Sequence, residues 1–145
     1  MGYTHYWENS AMTIPDAALI VIREIVGAAY HAGLIQYEHD AAKPPLVSRT
    51  LIRFNGVREY GHETFFFDVN DDYRADDGRP FAFCKTACKP YDAVVMKVLI
   101  VLKSFLKDEL KVTSDGSFAE EWAAVREEMA DRYGIRTYIN EELTV

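Results

Sequence analysis

Two short segments carry residue types that could do chemistry. Cys84-Lys85-Thr86-Ala87-Cys88-Lys89 leads into Pro90 and then a long apolar run. The start of a helix offers free backbone donors and partial positive charge, so two lysines and a hydroxyl placed just before one suit a phosphate or carboxylate. Lys85, Thr86 and Lys89 are therefore candidate ligand-binding residues, with Tyr91 and Asp92 beside them. The glycines that let a P-loop wrap a phosphate are missing here. The plain alternative is that Lys85 and Lys89 are solvated and Thr86 satisfies local backbone. The second segment is Gly61-His62-Glu63-Thr64. His62 could donate to a ligand oxygen or act as a general base near neutral pH, its reference pKa being about 6.5. On a pleated strand His62 and Thr64 would share one face and Glu63 the other. A histidine bonded to backbone is an equally open reading.

Other constellations are weaker. Cys84 becomes a nucleophile only if an imidazole lowers its pKa, with Glu63 or Asp92 orienting that imidazole, so His62 and Cys84 are the catalytic candidates. His5 shares a strand face with Tyr3 and Trp7; such a shelf stacks a nucleobase, or is simply core. Arg53 joins the groups that would face a ligand's charge. No metal and no cofactor is expected: Cys84-x-x-x-Cys88 lacks zinc spacing and a second cysteine pair. Asp68-x-Asn70-x-Asp72 begins like a calcium loop, yet Tyr73 stands where glycine is needed and Arg79 where a bidentate glutamate is needed.

The elements that must position these residues follow from periodicity. Tyr3 to Glu8 reads as a strand. Thr13, Pro15 and Asp16 read as a helix start, and Ala18, Val21, Ile22, Ile25, Ala28 and Ala29 give a helical stripe ending near Gly33. Lys43-Pro44-Pro45 is a connector. Leu51–Phe54 and Glu63–Phe67 read as antiparallel neighbours, followed by an acidic loop over 68–80. Phe81 to Cys84 is either a strand or an extended entry to a helix that Pro90 and Asp92 open, whose surface is broadly apolar from Val94 to Leu106. Lys111–Thr113 reads as a short strand, Ser114-Asp115-Gly116 as a turn, and Ser117-x-x-Glu120 as a capping box for a helix that buries Phe118, Trp122, Val125, Met129 and Tyr133. This order predicts an α+β fold, a mainly antiparallel sheet of four to five strands with three helices packed on it.

Composition bounds the function. A chain of 145 residues, 49% hydrophobic and 13% aromatic, can bury one substantial core, so one domain over 1–145 is expected. A formal charge of −7 disfavours nonspecific binding to nucleic-acid polymers, whose affinity comes from Lys and Arg neutralising phosphates. Two cysteines are no disulfide framework, and with neither a leader nor a membrane-length apolar run the expectation is a cytoplasmic protein.

Several segments taken together add a resemblance: Gly2-Tyr3-Thr4-His5-Tyr6-Trp7, Phe54-Asn55-Gly56, Gly61-His62-Glu63-Thr64-Phe65, Phe83-Cys84-Lys85-Thr86-Ala87, Lys89-Pro90-Tyr91-Asp92 and Ser114-Asp115-Gly116. They resemble a family of small uncharacterised phage and bacterial proteins that begin with a similar GYTHYW run and carry similar HETF, FCKTA-x-KPYD and SDG segments. In that family position 88 is not usually a cysteine, which counts against a paired-cysteine mechanism. The resemblance spans nearly the whole chain and brings no established activity with it. Its phage members favour, by analogy, a binding protein that sequesters an anionic, nucleotide-like ligand, such as a sponge for a host signalling nucleotide, in the host cytoplasm and with sites between subunits of a homo-oligomer. In that expectation Tyr3, Trp7 or Phe66 stacks a ring. Two other readings stay open: an enzyme acting on a nucleotide or phosphate compound with His62 as acid or base, and an acidic inhibitor of a host protein acting through Asp71, Asp72, Asp76 and Asp77.

Overall fold

The computed structural model describes residues 3–145. The fold is α+β, with seven strands in two antiparallel sheets rather than one sheet of four to five. The first strand, β1 (Thr4–Asn9), lies at the centre of a three-stranded sheet between β6 (Ala82–Lys85) and β7 (Leu110–Ser114). The Phe81–Cys84 ambiguity thus resolves as a strand, paired Thr4 with Lys85 through Trp7 with Ala82. In the second sheet β4 (Leu51–Gly56) pairs with β5 (Phe65–Asp68) and with two very short strands, β2 (Ile35–Gln36) and β3 (Leu46–Val47). The short strands account for the undercount, because two residues are too few for an alternation to show in sequence.

Alternation along β1 sends His5 and Trp7 to the inner face and Thr4, Tyr6 and Glu8 to the outer face. Three helices complete the fold: α2 (Asp92–Leu106) packs on β7, α1 (Asp16–His31) on β2, β3 and α2, and α3 (Ala123–Tyr133) on α2. Helix α2 sits between the other two and buries Val95, Val98, Leu99, Ile100, Val101 and Leu102 completely. Each such side chain contributes about 1.5–3 kcal/mol of hydrophobic stabilisation, which fixes α2, and the loop before it, against the sheet. Lys97, the one charge inside this run, reaches Glu128 of α3 at 2.7 Å. Trp7 joins the two sheets by packing on Phe65 and Phe67 of β5, with ring centroids 5.2 and 6.1 Å away.

Three local expectations are corrected. Helix α1 carries no Thr13 cap; Pro15 precedes it, and Asp16 pairs with Arg49 instead. The Ser117-x-x-Glu120 capping box does not form: α3 begins only at Ala123, with no side-chain cap, and the Ser117 backbone N–H donates to Glu121 Oε1 instead. His62, Glu63 and Thr64 precede β5 in an irregular segment, so strand alternation does not govern where they point.

Candidate functional site

The central feature of the inner sheet face is a buried polar chain around His5. Its Nε2 lies 2.6 Å from Asp92 Oδ1 and its Nδ1 2.8 Å from Ser114 Oγ. Ser114 Oγ also accepts from the Trp122 indole N–H at 3.1 Å and from the Gly116 backbone N–H at 3.0 Å. Those two donors occupy the hydroxyl's lone pairs, so its own proton must go to Nδ1, and His5 then donates from Nε2 to the Asp92 carboxylate. Thr86 donates to the same Asp92 oxygen at 2.6 Å. The order Ser114, His5, Asp92 is that of a nucleophile, base and orienting acid, but the serine hydroxyl is saturated by its three partners and His5 and Thr86 are fully buried. This arrangement holds structure together: it ties β1, β7, the start of α2 and the entry to α3 at one point.

The same end of the molecule gathers most of the segments that the sequence singles out. The Tyr3 carbonyl accepts from the Thr86 and Ala87 N–H groups, and Asp115 accepts from the Thr4 N–H at 3.0 Å and the Tyr6 hydroxyl at 3.1 Å. Asn55, fully buried, donates to the His62 carbonyl at 2.9 Å and to Thr64 Oγ1 at 3.2 Å while accepting from the His62 N–H. Glu63 bridges onward: its N–H donates to the Lys85 carbonyl, its Oε1 accepts the Lys85 N–H at 2.8 Å, and its carbonyl accepts the Tyr91 hydroxyl at 2.6 Å. Gly116 is required here, because a Cβ at that position would overlap the Tyr3 hydroxyl and come within 2.9 Å of its ring.

Within this frame the segment 85–91 is strained. Ala87 and Cys88 are consecutive non-glycine residues in the left-handed region, with φ of 52° and 58°. Such residues cost of order 1 kcal/mol each and persist only where surrounding contacts over-determine them. The contacts in question are the hydrogen bonds of Thr86 and Ala87 to Tyr3 and of Thr86 to Asp92.

The candidate residues accordingly divide. His5, Thr86, Tyr91 and Asp92 are brought together, as internal ties and not as free binding groups. Asp92 orients His5, where the sequence suggests His62. The anion site expected at the helix start is largely closed: Asp92 N–H donates to Lys89, and the Val94 and Val95 N–H groups to the Tyr91 carbonyl. Lys85, Lys89 and His62 do lie at this end, outside the buried chain. Neither lysine is in an ion pair among the described residues, and the exposed His62 imidazole makes no hydrogen bond among them. Thr64 is half-buried against Asn55.

Three candidates are displaced. Trp7 is core, 3% exposed, and cannot stack a ligand. Arg53 is paired with Glu38 and lies over the Tyr37 ring at 4.6 Å, so its charge is already met. Cys84 is fully buried, and burial, with the nearby Glu63 charge, pushes its thiol up, the opposite of what a nucleophile needs. Burial also raises Tyr3, with the Asp92 charge adding to it, and the buried Tyr3 hydroxyl has no hydrogen-bond partner among the described residues.

Residues that sequence reasoning missed are Ser114, Trp122, Asn55 and Asp115. The signal was present for two of them, since Ser114-Asp115-Gly116 reads as a turn but also carries a hydroxyl and a carboxylate one residue apart. The chain matches no protein-family model, no curated protein and no solved structure.

Proposed function

We propose that this chain is a small-molecule binding protein that sequesters an anionic, nucleotide-like ligand at the end of the molecule formed by residues 85–91 and 62–63. Lys85, Lys89 and His62 meet the ligand's charge, and His5, Thr86, Tyr91 and Asp92 hold the segment that presents them. The observation that carries the reading is the pair of unpaired lysines on a strained, firmly tied segment of a chain whose net charge is −7. Two cations four residues apart on one firmly held segment suit an external anion. Binding is favoured over turnover because Cys84, the candidate nucleophile, is buried with a raised pKa. By analogy with the phage proteins it resembles, the chain acts as a sponge for a signalling nucleotide in the host cytoplasm, as a homo-oligomer. Among the described residues no helix is long and apolar enough to cross a membrane.

Native mass spectrometry of protein taken gently from a nucleotide-rich lysate tests this. A released compound carrying phosphate supports the reading. An empty protein that depletes no nucleotide counts against it.

A second reading, an inhibitor of a basic protein, is favoured by one observation. Asp71, Asp72 and Asp76 are exposed and in no ion pair among the described residues, around an exposed Tyr73. Neutralising these three carboxylates would abolish such inhibition and leave anion binding intact.

A further inference from the structure

The outer face of the two sheets carries a set of aromatic side chains that the inner core does not use. Phe83 of β6 is 49% exposed, Phe66 of β5 is 38% exposed and Tyr73 of the following loop is 56% exposed. Phe81 stands among them, its ring 6.0 Å from Tyr6, 5.9 Å from Phe83 and 6.4 Å from Tyr73. Together with Ala82 and Asp71 these residues line a pocket of about 330 Å³, distinct from the buried His5 chain. That volume lies at the lower end of the range of small-molecule sites, which begins near ~300 Å³.

Charge stands in the lining of this pocket and just beyond it, Lys85 lying outside the lining. Lys85 follows Phe83 by two residues on β6 and so stands on the same outer face, about 6.5–7 Å further along the strand. Asp71 stands in the lining, with Tyr73 and Phe81, one carboxylate oxygen accepting the Tyr73 N–H and the other without a partner among the described residues. Arg74 lies near Asp71 too, its guanidinium directed to the Asp71 and Tyr73 carbonyls. An exposed aromatic cleft with an acceptor-only carboxylate in its lining and a lysine two residues beyond Phe83 along the strand has a chemical complement. It is a flat heteroaromatic ring that carries an amino donor on one edge and an anion on the other side.

We propose that this pocket is the ring subsite of the ligand, taking an amino-bearing nucleobase between Phe66 and Phe83, with the amino group donating to Asp71 and the phosphate directed to Lys85. This rests on the anion-binding reading above and narrows its ligand class to nucleotides of adenine, guanine or cytosine.

The test separates the two claims by using probes that each carry only half of the ligand. Adenosine and inosine are titrated into wild-type protein and into Asp71→Asn and Phe83→Ala, with aromatic and amide NMR shifts as the readout; pyrophosphate is titrated separately. The proposal expects adenosine to shift Phe66, Tyr73, Phe81 and Phe83 and to bind about tenfold more tightly than inosine, which lacks the amino donor. Asp71→Asn should erase that preference, and Phe83→Ala should weaken both nucleosides. Adenosine shifts at these rings without any pyrophosphate binding would uphold the ring subsite and remove the anion site. The proposal is overturned if nucleosides leave these rings unmoved, if the preference survives Asp71→Asn, or if Arg74→Ala and not Lys85→Ala weakens adenosine monophosphate. A lysine-rich peptide that shifts the same rings where nucleosides do not would overturn it in favour of protein docking.

Discussion

His5 and Asp92, 87 positions apart, are joined by a 2.6 Å hydrogen bond that fastens the central strand to the first turn of the central helix. Removing one partner leaves a carboxylate or an imidazole buried without its complement, which costs about 3 kcal/mol. His5→Ala and Asp92→Ala should each lower Tm by about 10 °C, as read by thermal unfolding. If the double variant is no worse than either single one, the pair acts as a unit, as the account requires.

Tyr3 and Gly116 make opposite predictions at one contact. Gly116→Ala drives a methyl into the Tyr3 ring and should destabilise by about 1–3 kcal/mol, measured by denaturant unfolding. Tyr3→Phe removes a buried hydroxyl that has no partner among the described residues, and should be neutral or slightly stabilising. A large loss in Tyr3→Phe would mean that the hydroxyl is bonded after all.

The two cysteines should be distinguishable by thiol titration. Cys88 is exposed and reacts in the native protein, slowly because partial desolvation of its sulfur and the Asp92 charge raise its pKa. Cys84 should react only on unfolding. Two fast native thiols would contradict the burial of Cys84.

Stability should fall on the alkaline side. Cys84, Tyr3 and Tyr91 all have raised pKa values in the fold, burial being the main cause in each. As pH rises through the unfolded values, about 8.5 for the thiol and about 10 for the phenols, the unfolded chain releases protons that the native chain keeps. The unfolded state then binds fewer protons, and stability declines with pH. Urea midpoints between pH 7 and pH 10.5 would show it, and a flat profile would contradict it.

Much of the fold was legible in the sequence because it rests on periodicity. The stripe from Ala18 to Ala29 and the run from Val94 to Leu106 each announce a helix and its buried face. The alternation in β1 places His5 with Trp7, and the antiparallel pairing of β4 with β5 is visible in their aromatic and β-branched runs. The short strands β2 and β3 were not legible, since two residues give no period. The site was legible only as a set of segments. Which histidine Asp92 would meet depends on β1 lying beside β6 and β7, a long-range pairing that spacing along the chain does not encode. Trp7 and Cys84 were misread for the same reason, as each has a side chain suited to a ligand but sits on the inner face of its strand.

The most direct test of the central claim is a titration of ¹⁵N-labelled protein with pyrophosphate, repeated on Lys85→Ala/Lys89→Ala. Both lysines lie outside the core, so the double variant should fold normally. The account predicts saturable amide shifts confined to residues 62–63 and 84–92 in the wild type, and a loss of at least tenfold in affinity in the variant. Shifts that are absent, that map elsewhere, or that persist unchanged without the two lysines would contradict it.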